Sequence, residues 1–362
     1  MSNRHGMVLT GAVIGTLAAW LVHFGNPKNM GICVACFIRD IAGAIGLHQA
    51  SVVQYIRPEI PGFILGAFII ALTNREFRPF GGSSPLTRFF LGTLVMVGAL
   101  VFLGCPLRMI LRLAGGDFNA LLGIAGFTSG IAGGTYFLRQ GFTLGRSYRQ
   151  PTVNGYLLPL AAVGLITFLI LQPSFIAFSE KGPGAAHAPL LIALSAGLLV
   201  GILAQRSRIC LAGGLRDLIL IRDPHLVIGF LSIFAFALVF NLALGNFGPA
   251  GFAGQPIAHN DGLWNFLGMA LAGLGSVLLG GCPLRQTILA GEGNTDSAVT
   301  FLGMLTGAAL AHNFGLAASP AGVPASGKIA VVVGLVVTIG IAFASISRVA
   351  TTAKKGAMSV GA

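Results

Sequence analysis

Apolar runs constrain this chain more than any other feature. Ten of them, each ended by glycine, proline or charge, fall near residues 7–24, 60–73, 88–104, 119–138, 154–172, 189–204, 225–245, 262–281, 296–313 and 328–346. Most approach the roughly 20 residues a helix needs to cross a hydrocarbon core. Inside lipid a segment must satisfy its own backbone hydrogen bonds, so these runs fold as helices. Composition agrees: 9% of residues are charged and mean hydropathy is +0.86, whereas soluble domains are about a quarter charged. The 362 residues would suit two soluble domains by length, but the runs point to one membrane domain. The 53 glycines fit it, allowing close helix approach and helix breaks. The expected fold is an all-α polytopic membrane protein with about ten transmembrane helices. Arg4 precedes the first run and no small-residue cleavage site follows it, which reads as a retained helix and not a signal peptide.

The net charge of +12 would suggest nucleic acid in a soluble protein. Here most basic residues lie in short loops beside the runs, where they act as topology signals facing anionic lipid, and no nucleic-acid partner is expected.

Four apolar pieces are too short to span: Gly31–Leu47, Pro106–Gly115, Ile209–Ile221 and Pro283–Gly291. They read as re-entrant half-helices. Irregular backbone at membrane depth is tolerated only inside protein or beside a wet cavity, so these pieces point to a solute pathway.

The pieces are also internally repeated. Gly31-Ile32-Cys33-Val34-Ala35-Cys36-Phe37-Ile38-Arg39-Asp40 is matched by Arg208-Ile209-Cys210-Leu211-Ala212-Gly213-Gly214-Leu215-Arg216-Asp217, and Gly104-Cys105-Pro106-Leu107-Arg108 recurs as Gly281-Cys282-Pro283-Leu284-Arg285. The step along the chain from Cys33 to Cys210 equals the step from Cys105 to Cys282. The chain is thus expected to be a tandem duplication, 1–175 and 176–362. An odd number of spans per half, about five, makes the repeats inverted, with a shared site near the midplane. Six arginines lie in or beside the cysteine motifs: Arg39, Arg108, Arg112, Arg208, Arg216 and Arg285. Of the sixteen other Lys and Arg residues, Lys28, Arg57, Lys181 and Lys328 fall on one side and twelve on the other. The basic side is then cytoplasmic and holds both termini. Cys33, Cys36 and Cys105 belong to the outer half of the pathway and Cys210 and Cys282 to the inner half.

All five cysteines lie in these motifs. A single membrane cysteine is usually a small apolar filler, but filler has little reason to keep its place in both halves while Cys36 and Gly213 diverge. In Gly-Cys-Pro-Leu-Arg the glycine releases the incoming helix and proline suits the first turn of the next. The thiol then sits near unpaired amide N–H groups, where an anion is welcome. Two readings of Arg108 and Arg285 stand: they reinforce this anion site, or they pair with Asp40 and Asp217. The adjacent Arg39-Asp40 and Arg216-Asp217 are structural braces. Cys33-Val34-Ala35-Cys36 has the spacing of zinc ligands or a redox pair, and on an oxidising face it could form a disulfide, but no second pair matches it. No metal or cofactor is expected, and no nucleotide-binding motif is present. Gln255 and His259-Asn260-Asp261 read as solvated turn residues. Glu292, Asn294 and Asp296 suit a helix cap, and His312-Asn313 an interhelical hydrogen bond.

These motifs resemble the YeeE/YedE sulfur-transport family. The segment Gly31 to Asp40, with Tyr55-Ile56-Arg57-Pro58-Glu59-Ile60 and Gly291-Glu292-Gly293-Asn294, is similar to the YedE branch associated with selenium. The resemblance implies an hourglass-shaped transporter in a bacterial inner membrane, in which thiosulfate passes cysteines at constrictions through weak S–H···S bonds. It implies Cys33, Cys105, Cys210 and Cys282 as the relay, with Cys36 the least secure member, and small cytoplasmic carrier proteins of the TusA/YedF type as partners. The expected function is uptake of a small sulfur- or selenium-containing anion, not catalysis. The alternatives are a membrane thiol–disulfide oxidoreductase using Cys33 and Cys36, or a structural subunit with inert cysteines.

Overall fold

The computed structural model describes the backbone of residues 4–360 and the side chains of residues 4–346. Both chain ends and the side chains of Arg348, Lys354 and Lys355, which enter the topology expectation, lie outside the described residues. Fourteen helices are described. They are α1 (Arg4–His23), α2 (Val34–Ala44), α3 (Glu59–Thr73), α4 (Pro85–Phe102), α5 (Pro106–Ala114), α6 (Asn119–Arg139) and α7 (Thr152–Leu171), then α8 (Leu190–Ser207), α9 (Leu211–Ile221), α10 (His225–Ala243), α11 (Gly262–Leu278), α12 (Pro283–Gly291), α13 (Thr295–Asn313) and α14 (Ala325–Val360). A two-residue antiparallel pair, β1 (Phe80–Gly81) and β2 (Tyr148–Arg149), ties two loops together.

The protein is an all-α polytopic membrane protein. Eight helical stretches are long and apolar enough to cross a membrane. Of the ten longer helices, α3 has 15 residues, about 22 Å at 1.5 Å per residue, and α13 opens on Thr295-Asp296, which lowers its hydropathy. The four short pieces are helices of nine or eleven residues.

Packing separates an inner group from an outer one. In the stretch Pro85–Ala114, which holds α4 and α5, 94% of the apolar window is buried, and in Gly262–Gly291, which holds α11 and α12, 89%. The corresponding value is 22% for α7 and for Ala325–Ile346 of α14, whose exposed Leu, Ile, Val and Phe suit a lipid boundary. The principal partners alternate between the two ends of the chain: α1 packs on α10 and α3 on α8, while α6 packs on α11 and α4 on α13.

Glycines set how close these pairs come. A Cβ at Gly126 or Gly130 of α6 would lie 2.0 or 2.1 Å from a carbonyl oxygen of α11. At Gly303 or Gly307 of α13 it would lie 2.2 or 2.6 Å from one of α4. These are two Gly-x-x-x-Gly contacts, separated by the same step along the chain as the paired cysteine motifs, of the kind that lets membrane helices touch backbone to backbone.

Candidate functional site

The four short helices bring the cysteines together in two pairs. Cys33, Cys105, Cys210 and Cys282 are the N-cap residues of α2, α5, α9 and α12. Cys33 Sγ lies 3.9 Å from Cys105 Sγ, and Cys210 Sγ lies 3.8 Å from Cys282 Sγ. All five thiols are free, and none of the five residues is more than 5% exposed. Each pair therefore buries two sulfur atoms close together.

Helix starts explain the placement. Cys33 Sγ accepts from the Cys36 amide at 3.3 Å and Cys210 Sγ from the Gly213 amide at 3.2 Å, so both cap the third residue of their helix. Cys210 Sγ also accepts from the Cys282 amide at 3.5 Å. Cys105 and Cys282 have extended backbone followed by proline in the first turn. Four helix N-termini converge on four sulfurs, each offering partial positive charge.

The break before Cys105 and Cys282 differs from the expectation in one respect. The residues in left-handed conformation are Leu103 (φ +62°) and Gly280 (φ +82°), one position ahead of the motif glycines. Gly104 and Gly281 serve close approach instead. A Cβ on Gly104 would lie 2.9 Å from Arg108 Cδ, and one on Gly281 would lie 3.1 Å from Arg285 Cγ. The glycine lets each motif arginine fold back across its own helix start.

Neither arginine reaches Asp40 or Asp217, so that pairing is not formed. Arg108 is wholly buried and has no carboxylate partner among the described residues. It donates to the carbonyls of Asn29 (2.7 Å), Ile257 (3.0 Å) and Leu103, and to Cys36 Sγ at 3.2 Å. Arg285 pairs with Glu292 at 3.0 Å. The aspartates are held by their sequence neighbours, Asp40 by Arg39 at 2.6 Å and Asp217 by Arg216 at 2.8 Å. Asp40 gains Arg57 at 2.7 Å. Arg57 is counted among loop charges from its sequence position, yet it is 0% exposed, with its guanidinium over the rings of Phe37 and Tyr55. Hydropathy gives no sign of this, because a buried arginine and a solvated one read alike in a loop.

Other residues also move from their expected roles. His259 and Gln255 are buried and not solvated; His259 Nε2 lies 2.7 Å from the Val101 carbonyl oxygen. Asn294 does cap α13, accepting from the Ser297 amide at 2.8 Å. Asp296 instead accepts from the Gly82 and Ser83 amides and the Ser83 hydroxyl, fastening the loop after β1. Asn313 donates to the Leu47 carbonyl at 2.9 Å, and His312 stacks on His48 at 4.6 Å.

The surroundings of the two motif sets differ. Two residues before Cys210, Arg208 joins Glu76, Arg78, Glu292 and Asn294 in lining a cavity of about 360 Å³. Beside Gly31 and Gly115, whose counterparts in the repeat register are Arg208 and Glu292, a crevice between α1, α5 and α10 measures about 20 Å³. There Arg108 straps Asn29 to Ile257 and draws loops from distant parts of the chain together. At the 360 Å³ cavity, a hydrogen bond from Gln205 and then the charges of Arg208, Arg206 and Arg78 hold the Glu76 carboxyl below the usual carboxylate range.

Residues 206–358, which contain Cys210, Cys282 and Arg285, match the family described as sulphur transport. Over that stretch the second half of the chain resembles the sulphur-transport family. The relatives include the thiosulfate transporter TsuA of Spirochaeta thermophila, 35% identical over 115 residues, covering 31% of this chain and 33% of that protein. The thiosulfate transporter TsuA of Escherichia coli is 32% identical over 110 residues, 29% of each. The chain thus spans about a third of the length of these curated relatives. Among the described residues no group of three or more His, Cys, Asp or Glu gathers as metal ligands.

Proposed function

We propose that this chain carries a small sulfur-containing anion, thiosulfate-like, across a bacterial inner membrane through two thiol constrictions in series. The observation that carries the reading is the pair of Sγ–Sγ contacts, 3.9 and 3.8 Å, at four converging helix starts. Thiols are soft and polarizable, which suits a terminal sulfur or selenium atom; selenite or selenosulfate is therefore a second substrate class to test. Arg108, buried without a carboxylate, leaves positive charge beside the Cys33/Cys105 pair and favours a dianion there. Each S–H contact is weak, and conduction needs sites that release as readily as they bind. The halves 1–175 and 176–362 are inverted in this reading, with both termini and the 360 Å³ vestibule cytoplasmic. A TusA/YedF-like carrier would collect the anion at that vestibule, against Arg78, Arg206 and Arg208.

The test is uptake of thiosulfate, selenite and selenosulfate by proteoliposomes containing the wild-type chain or its Cys33→Ser, Cys105→Ser, Cys210→Ser and Cys282→Ser variants. Loss of about fivefold or more in each variant supports the relay, and equal flux in all would sink it. Cys36→Ser is expected to keep most uptake. Abolished activity with a trapped mixed disulfide would favour a thiol–disulfide oxidoreductase instead.

A further inference from the structure

Five buried carboxylates lie within the described bundle, and four have a cation: Asp40 with Arg39 and Arg57, Asp117 with Arg112, Asp296 with Arg88, and Glu292 with Arg285. Glu59 has none. It is 1% exposed at the start of α3, its Oε1 accepts from Asn26 Nδ2 at 2.8 Å, and its Oε2 has no hydrogen-bond partner among the described residues. A bare carboxylate oxygen sealed from water is costly as an anion and suits a protonated acid. The N-terminus of α3 and the Asn26 amide pull the other way, favouring the anion. These opposed influences make a group that can gain and lose a proton.

The surroundings tie that proton to the thiols. Asn26 Nδ2 also donates to the Gly31 carbonyl at 2.9 Å, two residues before Cys33, and Asn26 Oδ1 accepts from the Ala188 amide at 2.9 Å. One side chain thus joins Glu59, the segment that aims Cys33, and the connection into the second half. The ionisable groups around it are few. Arg57, two residues away, is committed to Asp40 and to the Ala186 and Pro183 carbonyls, and Asp40 of α2 is saturated by two arginines. Tyr55 is stacked on His187 of the α7–α8 connection at 4.1 Å. From α8 it is Gly197, without a side chain, that meets Glu59. In the second half the helix equivalent to α3 is α10, which starts on Pro224-His225 where α3 starts on Pro58-Glu59, so no acid stands at that helix start.

We propose, resting on the transport reading above, that Glu59 is a proton-binding site whose loading and release shifts Asn26 and the Cys33 segment, coupling anion passage to proton passage. Ionised Glu59 holds the Asn26 amide more tightly, and the neutral acid frees it to follow Gly31. Glu59→Gln keeps the shape and the acceptor oxygen but cannot titrate.

Liposomes holding the wild-type chain, Glu59→Gln or Glu59→Asp are given thiosulfate with valinomycin and equal potassium on both sides. For one proton per anion, wild-type accumulation rises about tenfold for each pH unit that the outside is more acidic. Glu59→Gln is expected to exchange thiosulfate at equal pH yet ignore the gradient, and Glu59→Asp to regain part of the response. Infrared difference spectra through a pH titration should contain a carboxylic-acid carbonyl band that Glu59→Gln lacks. Intact exchange with no gradient response in the wild type overturns the coupling. If no protein moves thiosulfate, the transport reading fails separately. The infrared band then decides: its absence overturns the proton site and its presence upholds it.

Discussion

Asp40 and Asp217 occupy equivalent places in the repeated motif but not equivalent environments. Asp40 is fully buried between Arg39 and Arg57, whereas Asp217 and Arg216 are 22% and 28% exposed. Removing one partner of a buried ion pair strands the other charge, at a cost of about 3–5 kcal/mol, while a partly solvated pair contributes about 1 kcal/mol or less. Asp40→Asn should therefore lower the thermal midpoint in detergent sharply, and Asp217→Asn should barely move it. Equal shifts would mean that Arg57 is not the decisive partner. The sequence shows both aspartates and their neighbouring arginines as braces, because adjacency and repetition are visible in one dimension. Arg57 is not legible that way. Its partner is 17 residues away and its carbonyl acceptors lie beyond residue 180. Arg108 is a similar case: the motif marks it, but only the fold shows that it straps carbonyls of Asn29 and Ile257. Arg108→Gln should open that face, raising labelling of Cys36 by a membrane-impermeant maleimide several-fold, while Arg285→Gln leaves it unchanged.

The helices themselves are largely readable, since apolar runs, glycine and proline mark starts and stops; α12 spans Pro283–Gly291 as expected. What the runs do not reveal is which helix meets which. A Gly-x-x-x-Gly pair in α6 and its counterpart in α13 hold that information, but only the opposing carbonyls make it specific. A Cβ at Gly130 would stand 2.1 Å from the Ala270 oxygen, while one at Gly164 of α7 meets nothing within 4 Å. Overfilling a packed contact costs about 1–3 kcal/mol and often more where backbone must move. Gly130→Leu should reduce the yield of folded protein on size exclusion, and Gly164→Leu should not. A comparable loss in both would place the α6–α11 contact among dispensable ones. The short helices follow the same logic in another form. A side chain at Gly213 would lie 3.2 Å from Leu226 Cδ1 and 3.3 Å from Cys210 Sγ. The second half thus closes over the space that Cys36 fills in the first.

In the molecule as a whole, α2 touches α12 and α5 touches α9, so the helices behind one thiol pair meet those behind the other. If the solute passes both pairs in turn, their resistances add. Suppose Cys105→Ser and Cys282→Ser each raise the resistance of their own constriction about tenfold; either alone then cuts flux about five- to sixfold, and both together about tenfold. If each half were instead its own pathway, one substitution would remove a little under half the flux and the double would remove about nine-tenths. The two arrangements therefore differ most in the single variants. Initial thiosulfate uptake by the two single variants and the double, normalised to protein in the liposomes, separates them. A single variant that retains more than half of wild-type flux, beside a double that loses most of it, would overturn the serial path. The cavity of about 360 Å³ lined by Arg208, two residues from Cys210, adds a sided expectation. A membrane-impermeant thiol reagent should reach Cys210 or Cys282 from the vestibule well before it reaches Cys33 or Cys105 from the opposite face. Added thiosulfate should slow the first reaction if the solute rests between those sulfurs.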